Sequence, residues 1–506
     1  MSENTGYERI PAEKFAFVQE NERITDQKFK TKARGFFADA MIRFCKNKSS
    51  VVATIILAVL ILYSIIAPFL SPYEITDKDG IYLNYPPYVR WISDLGLGIF
   101  DGSKTLSSQN DASMDMWEGV YLETGLQPVL GVTATYTTTV KQRGKEVERY
   151  TYDIAVNTYY AKGVIYRNLT YSEFEKIQEW QNETGIQVIY PYVEDTSDSR
   201  IWYETTSTGA AARDDDGNYI PAYSTNSAIE GAEYNSLRIA GDDGSYIYSV
   251  RKAGSVQVRL CYYTYYQYMN DGLEPCYIMG TNAVGQDIFC AIGVGARFSL
   301  IFAVVVSVIN LSIGLVYGSL QGYYGGWVDM LLDRIADILS GVPFVVVTTL
   351  FQLHLANKVG IVPSFLFAFV LTGWIGMSSL TRRQFYRFKG QEFVLASKTL
   401  GASDRRVMFK HILPNGIGSI ITSCALVIPG VIRSETTMTY LGIVDLSSAF
   451  GSTIGTLLSQ GNSVVTTAPH ALLFPSIFLG LLMICFNLFG NGLRDAFNPT
   501  TRGEGD

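Results

Sequence analysis

The charged residues best placed to perform a recognisable task lie in the stretch 391–415, between two apolar runs that are long enough to cross a bilayer. This stretch carries four cations, Lys398, Arg405, Arg406 and Lys410. Its two halves have the pattern of short amphipathic helices joined at Gly401, with Asp404 placed to cap the second helix. Pro414 opens the next apolar run. A compact polar helix pair between two membrane spans predicts a docking surface for a protein in the cytoplasm.

The sequence contains no recognisable site for covalent or metal-assisted chemistry. The pair Gly144-Lys145 is followed by Glu146 and lacks the spaced glycine of a phosphate-binding loop. No nucleophile elbow, zincin helix or cysteine metal knuckle is present. The three histidines are too scattered to predict a metal site. We therefore expect no enzymatic activity and no cofactor on this chain, so a partner would supply the free energy for any uphill transport.

Long apolar runs lie within residues 51–70 and 280–499 of this 506-residue chain, of which 48% is hydrophobic. They predict a polytopic α-helical membrane protein with about six transmembrane helices, one in the segment 51–70 and five within 280–499. We place those five spans near 300–322, 335–354, 361–378, 416–432 and 471–489. The first 50 residues are polar and end in the basic cluster Arg43, Lys46 and Lys48, which predicts a cytoplasmic tail with a short interfacial helix and no cleavable signal peptide.

The distribution of basic residues predicts the orientation. The cluster before the first span places the N-terminus in the cytoplasm, and four crossings then place the basic segment 381–389 in the cytoplasm too. The loop 385–412 and the tail 500–506 would lie on that same side. Within the spans, residues four apart form a stripe that would let another helix approach closely: Asn310, Gly314, Gly318 and Gly322. Three carboxylates recur at helical spacing at the start of the third span, Asp329, Asp333 and Asp337, and we expect Arg334 and the helix N-terminus to stabilise them.

The segment 71–279 differs in composition from the rest of the chain, because it is acidic and holds most of the 33 tyrosines. Strands are predicted near 132–140, 147–156 and 255–268, and a helix near 170–183. We therefore expect a β-rich α+β domain outside the cell. Its tyrosines could pair across strands or form a surface that binds carbohydrate or protein. Cys261 and Cys276 could form a disulfide there or remain free thiols.

Several motifs carry a resemblance to a known family. The spacing of Ala396-Ser397, Gly401 and Leu413-Pro414 resembles the loop of permease subunits of bacterial ABC importers, and residues 411–415 resemble its version in dipeptide and oligopeptide permeases. The start of the membrane part, residues 43–68, resembles the second, C-type permease of such importers. Residues 487–495 resemble the C-terminal signature of the family. The resemblance does not cover the large external insertion.

This resemblance implies a type I ABC importer permease fold with a cytoplasmic coupling helix that binds an ATPase subunit. The first position of the signature of the family is Leu395 here, and Glu392 is a possible substitute for the usual glutamate. The residues assigned to the coupling loop on this basis are Glu392, Ala396, Ser397, Gly401, Ala402, Asp404, Arg405, His411, Leu413 and Pro414. Arg433 and Glu435 could line the translocation path or pair with each other at the outer surface.

The resemblance also implies the partners: a second homologous permease subunit, two ATPase subunits that carry ATP and Mg, and an extracytoplasmic substrate-binding lipoprotein. The expected location is the bacterial cell membrane, with no nucleic-acid partner. Peptides are the expected substrate. A permease of the same build for nickel or an oligosaccharide remains an alternative, and so does a membrane-anchored surface receptor or adhesin.

Overall fold

The computed structural model describes residues 36–190 except 97, 143 and 144, residues 215–216, 238–240 and 246–248, and residues 255–497. Residues 1–35 and 498–506, which include most of the two predicted tails, lie outside the described residues. The predicted interfacial helix corresponds in position to α1 (Phe36–Lys46), the first element that the structure describes.

α1 leads directly into the first long apolar helix, α2 (Lys48–Leu70). Asn47 separates the two helices, and its side chain caps α2 by accepting a hydrogen bond at 3.3 Å from a backbone N–H of the first turn. The ring of Phe44 on α1 lies edge-on to Phe489 near the end of the chain, with centroids 5.7 Å apart. α1 is therefore packed against the helix bundle. The predicted first span is confirmed, with a start a few residues earlier.

An α+β region follows α2. Its helices are α3 (Arg90–Ser93), α4 (Asp111–Thr124), α5 (Thr158–Ala161), α6 (Tyr171–Thr184) and α7 (Tyr262–Met269). Its strands are β1 (Ser103–Asn110), β2 (Val129–Gln142), β3 (Lys145–Asn157), β4 (Val164–Thr170), β5 (Ile189–Tyr190), β6 (Arg238–Ala240), β7 (Tyr246–Tyr248) and β8 (Ser255–Cys261). β3 lies between β1 and β2, β8 lies between β4 and β5, β6 pairs with β7, and all pairs are antiparallel. The predicted strands 132–140 and 147–156 and the predicted helix near α6 are confirmed.

The predicted strand 255–268 is wrong in its second half, because β8 ends at Cys261 and α7 begins at the next residue. Four of the five tyrosines of α7 are buried, and the spacings of three and four residues among them suit a helix that packs on one face. They contact tyrosines from the connecting segments: Tyr262 lies edge-on to Tyr82, with centroids 4.8 Å apart. The tyrosines of this region therefore form mainly a buried cluster around α7, and pairing across strands is the lesser arrangement.

The second part of the bundle contains α8 (Ile288–Tyr324), α9 (Gly326–Ser340), α10 (Phe344–His354), α11 (Ala356–Val359) and α12 (Ile361–Phe388). α8 has 37 residues, so at 1.5 Å per residue it spans about 55 Å and extends beyond a hydrocarbon core of about 30 Å. It begins before the predicted residue 300 because the Asp287 side chain caps it. The predicted third span, 335–354, is divided between α9 and α10, because the chain bends by 73° between these two helices. Pro343 lies at this bend.

α8 and α12 pack closely along the predicted glycine stripe. A Cβ added at Gly314 would lie within 3 Å of Met377, one at Gly318 would meet the backbone of Ser378, and one at Gly322 would meet Phe385. Only glycine permits this approach of two helix backbones. The stripe therefore positions α12 and the loop that follows it.

The final elements are α13 (Glu392–Thr399), α14 (Asp404–Arg406), α15 (Leu413–Tyr440), α16 (Ser447–Phe450), α17 (Ile454–Ser463) and α18 (His470–Phe497). A π-helical turn, Val407–Ile412, connects α14 to α15. The segment between α15 and α18 contains α17, whose Ile454 and Leu457 are buried in the bundle core. In the described part of the chain, five helices are long and apolar enough to cross a membrane, and the bent α9–α10 pair would make six, which confirms the predicted fold class.

Candidate functional site

The candidate site is the segment between α12 and α15, which lies at the end of the bundle away from the α+β insertion. α13 ends in a turn in which the Gly401 N–H donates to the Lys398 carbonyl at 2.9 Å and the Ala402 N–H donates to the Ser397 carbonyl at 3.1 Å. This pair of bonds is the Schellman arrangement, and it requires a left-handed residue, which is Gly401 with φ of 80°. The predicted turn at Gly401 is therefore present.

Tyr323, near the end of α8, holds the base of this segment. Its hydroxyl donates a hydrogen bond of 2.5 Å to Asp404 Oδ1, and the Lys398 ammonium lies 4.7 Å from the centroid of its ring. Beneath these contacts a small apolar cluster forms around Phe385 and Val394. α13 and α14 are thus fixed to the ends of α8 and α12. Tyr323 could not be identified from sequence, because its partner Asp404 lies 81 residues away along the chain.

The prediction of two separate short helices is wrong for the second one. The helical segment that begins at Asp404 continues through the π-helical turn into α15, and Asp404–Tyr440 forms one candidate membrane span. Asp404 does not cap it: Ser403 occupies the capping position without a side-chain hydrogen bond, and Asp404 binds Tyr323 instead. The site is therefore continuous with a membrane-crossing helix.

The ten residues predicted for the loop differ in their exposure to solvent. Those exposed to solvent are Glu392, Ala396, Gly401, Asp404, Arg405 and Pro414, and those partly buried are Ser397, Ala402, His411 and Leu413. Ala402 and Leu413 pack on the small apolar cluster. The structure therefore brings all ten predicted residues into one surface loop and its base.

Sequence reasoning missed the apolar part of the exposed surface. Leu400, at the turn before Gly401, is 88% exposed, and Leu395 is 53% exposed. Phe393 and Phe409 are exposed as well. The cations Arg405, Arg406 and Lys410 are also exposed, and no ion pair within the described residues engages them. The loop thus presents an apolar tip beside a positively charged surface, which is the composition of a protein contact rather than of a solvated turn.

A cluster of ion pairs fastens α9 to α12 near the loop. Arg382 on α12 bonds Asp329 at 2.6 Å and Asp333 at 3.1 Å, and the Tyr386 hydroxyl donates to Asp329 at 2.7 Å. Of the three carboxylates that Arg334 was expected to stabilise, it pairs with Asp337, at the surface. Among the described residues, the other two pair with Arg382 instead. Arg382 was not identified from sequence because it lies on another helix.

We expect Arg382→Gln to lower the stability of the chain by about 1–3 kcal/mol, because the buried Asp329 carboxylate would lose its charged partner. The measurement is the thermal unfolding midpoint of the purified chain in detergent. Arg334→Gln is the matched control, since its ion pair is exposed and is worth at most about 1 kcal/mol. Equal shifts for the two variants would contradict a stabilising role for the α9–α12 ion pairs.

Arg433 and Glu435 do not pair with each other. Arg433 is exposed, whereas Glu435 is fully buried and accepts a hydrogen bond of 2.7 Å from the Ser299 hydroxyl on α8. One Glu435 carboxylate oxygen has no hydrogen-bond partner among the described residues. Of the two predicted arrangements, the surface ion pair is therefore absent from the described structure.

The opposite end of the bundle joins the insertion through many polar contacts. Asp287 caps α8 and accepts a hydrogen bond of 2.8 Å from the Ser71 hydroxyl, and burial raises the pKa of its carboxyl to about 6. The Tyr73 hydroxyl accepts a hydrogen bond of 2.9 Å from the Cys276 N–H, and burial raises the pKa of Tyr73 to about 12. Cys276 and Cys261 are not joined by a disulfide, so the possible bond between them is not formed.

Together, these features define a multi-pass membrane protein: a bundle of long apolar helices with an exposed loop at one end and a folded region at the other. The family model of the binding-protein-dependent transport system inner membrane component matches residues 311–503. The model of the N-terminal TM domain of oligopeptide transport permease C matches residues 35–87. Most of the insertion lies between these two matched ranges.

The curated relatives of this chain are transport permeases of the same kind. The chain is 40% identical over 223 residues to the oligopeptide transport system permease protein OppC of Bacillus subtilis (strain 168). The aligned region covers 44% of this chain and 72% of that relative. It is 36% identical over 224 residues to the dipeptide transport system permease protein DppC of the same organism, covering 44% and 68%. An inward-facing structure of the MetNI methionine ABC transporter aligns at 14% identity and a TM-score of 0.32, covering 40% of this chain and 94% of that one.

This chain belongs to the family of ABC importer permeases of the dipeptide and oligopeptide type. Within that family it is a permease of the C-type. The two family models and the curated relatives carry this assignment.

Proposed function

We propose that this chain is one of the two permease subunits of an ATP-driven importer for dipeptides and oligopeptides. It would form half of the translocation path with a second homologous permease. Two ATPase subunits, carrying ATP and Mg, would bind at the loop end, and an extracytoplasmic lipoprotein would deliver the substrate at the insertion end. The names of the curated relatives, oligopeptide and dipeptide transport permeases, support this choice of substrate.

The single observation that carries the coupling role is the exposed loop between α12 and α15. Its tip residue, Leu400, is 88% exposed, which costs solvation free energy unless a partner covers it. The surrounding cations favour a partner with an acidic rim around an apolar groove. No element of the described chain covers this tip, so an ATPase subunit is the occupant that the family favours.

The mechanism follows from how the loop is anchored. A displacement of the ATPase would move α13, and the contacts of Tyr323 with Asp404 and Lys398 would pass that movement to the base of the loop. Because the helix continues from Asp404 into α15, the movement would be transmitted as a rigid lever into the membrane. Glu435 lies on this same helix, against α8. The spans would thereby alternate between outward-facing and inward-facing arrangements.

The proposed location is the bacterial cell membrane, with both termini and the loop in the cytoplasm and the insertion outside. The positively charged loop agrees with this orientation. A same-family permease for nickel or an oligosaccharide remains the alternative substrate assignment. A surface receptor or adhesin is the alternative of a different class, and the exposed loop argues against it because a receptor has no need of an ATPase contact.

We expect deletion of this chain from its native cell to remove most of the uptake of labelled tri-alanine, and excess unlabelled dipeptide or tripeptide to compete with uptake in the parent cell. Nickel and maltotriose should not compete, and they serve as controls for the alternative substrates. Competition by either of these but not by peptides would refute the assignment to peptide import.

A further inference from the structure

A cavity of about 670 Å³ lies at the root of the insertion, where the insertion meets the ends of α2 and α8. We call it the root cavity. Its walls include the rings of Tyr73, Tyr262, Tyr266 and Tyr277. Its volume lies within the range of about 300–1,000 Å³ that small-molecule sites occupy. It is therefore large enough for a compound of a few residues.

Charged side chains of both signs also line the root cavity. Lys78 and Arg167 form no ion pair within the described residues, although Arg167 lies 5.2 Å from the centroid of the Tyr265 ring. Asp79 uses Oδ1 to accept hydrogen bonds from two backbone N–H groups and from the Tyr262 hydroxyl, and no described residue donates a hydrogen bond to its Oδ2. Asp77 also lines the cavity. Cations and carboxylate oxygens thus remain available around one space.

The walls of the root cavity are held in place before any ligand binds. Tyr73 and Tyr277 stack with centroids 4.5 Å apart, and Asp79 fixes Tyr262 by a hydrogen bond of 2.7 Å. The backbone of Asp79 also bonds the carbonyl of Gly285 at 3.1 Å. A preformed site loses less conformational entropy on binding than a flexible one.

The cavity also lies next to the membrane helices. Tyr73 follows α2 by three residues, and Asp287, which lines the cavity, caps α8. A ligand in this space would contact the insertion and the residues that flank the ends of α2 and α8. Its position is therefore on the external approach to the bundle, in the orientation proposed above.

We propose that the root cavity is a substrate-binding site of this chain for a short peptide in its zwitterionic form. Lys78 and Arg167 would bind the terminal carboxylate, Asp77 and Asp79 the terminal ammonium group, and the tyrosine rings would contact the backbone and side chains. The unpaired charges of both signs favour this ligand over a neutral sugar, for which aromatic rings alone would suffice. This inference rests on the proposed function of peptide import.

The test is the binding of tri-alanine to the purified full-length chain in lipid nanodiscs, measured by isothermal titration calorimetry. Saturable binding is expected. The double variant Lys78→Gln, Arg167→Gln should bind at least about tenfold more weakly, because it loses charged hydrogen bonds to the carboxylate. Acetylated and amidated tri-alanine, which lacks both terminal charges, should show a similar loss. Lys176→Gln is the matched control, since Lys176 is exposed on α6 and does not line the cavity.

Absence of tri-alanine binding to the unaltered chain, equal binding of free and capped tri-alanine, or equal loss in the Lys176→Gln control would each overturn the proposal. Saturable binding of maltotriose without binding of tri-alanine would overturn it in favour of a carbohydrate. Peptide competition of cellular uptake tests the proposed function separately. If peptides compete for uptake but do not bind this chain, only the root-cavity proposal fails.

Discussion

A Gly401→Val substitution is expected to abolish peptide uptake and to weaken ATPase association while the chain still inserts into the membrane. Gly401 has φ of 80°, a conformation that costs a β-branched residue about 1–3 kcal/mol. Relaxation of that strain would break the bond from its N–H to Lys398 and displace α13. No atom lies within 4 Å of the added Cβ, so the effect comes from the backbone and not from a clash. The measurements are uptake by the reconstituted importer and recovery of the ATPase with the purified chain.

Gly390→Val provides the matched control for this prediction. Gly390 is two residues before α13, has open space around its Cβ position, and does not have a positive φ. It should therefore retain uptake and ATPase association. Unaltered uptake together with unaltered ATPase association in the Gly401→Val importer would count against the docking role of the loop.

A Gly318→Leu substitution is expected to prevent the chain from folding into its native bundle. The added Cβ would meet the backbone of Ser378 and lie within 3 Å of Thr381, so α8 and α12 would have to separate. Overpacking of a tight contact costs about 1–3 kcal/mol and occasionally more, and a backbone contact cannot relax by a change of rotamer. The expected result is loss of the monodisperse peak of the detergent-purified chain in size-exclusion chromatography.

Gly376→Leu is the control for the same helix pair, because Gly376 lies on α12 with no atom within 4 Å of an added Cβ. The purified chain carrying this change should elute as the unaltered chain does. A monodisperse peak from Gly318→Leu, with an unfolding midpoint equal to that of Gly376→Leu, would show that the glycine stripe is not required for close packing.

The membrane part of the fold was predictable because long apolar runs and glycine spacing are local signals. The contacts that position the loop were not, since they join residues distant in sequence. Tyr323 and Asp404 are one example, and Arg382 with Asp329 is another. The bend between α9 and α10 was missed because the hydropathy continues through Pro343.

The fold of the insertion was also only partly predictable from the sequence. The strands β2, β3 and β8 were predicted, but the tyrosine-rich segment after Cys261 was interpreted as strand and is a helix. Tyrosine favours strands by propensity, and here burial of four rings on a helix outweighs that preference. The candidate loop was located by its charges and its glycine, whereas the exposed Leu400 could be recognised only from the folded surface.

The most direct test of the central claim is affinity purification of this chain from its native membrane in a mild detergent, with identification of every protein recovered with it. We expect two ATPase subunits and a second permease subunit to be recovered with the unaltered chain, and the ATPase subunits to be depleted with the Gly401→Val chain. Recovery of the chain alone, or with cell-wall material only, would contradict its role as an importer permease that docks ATPases through this loop.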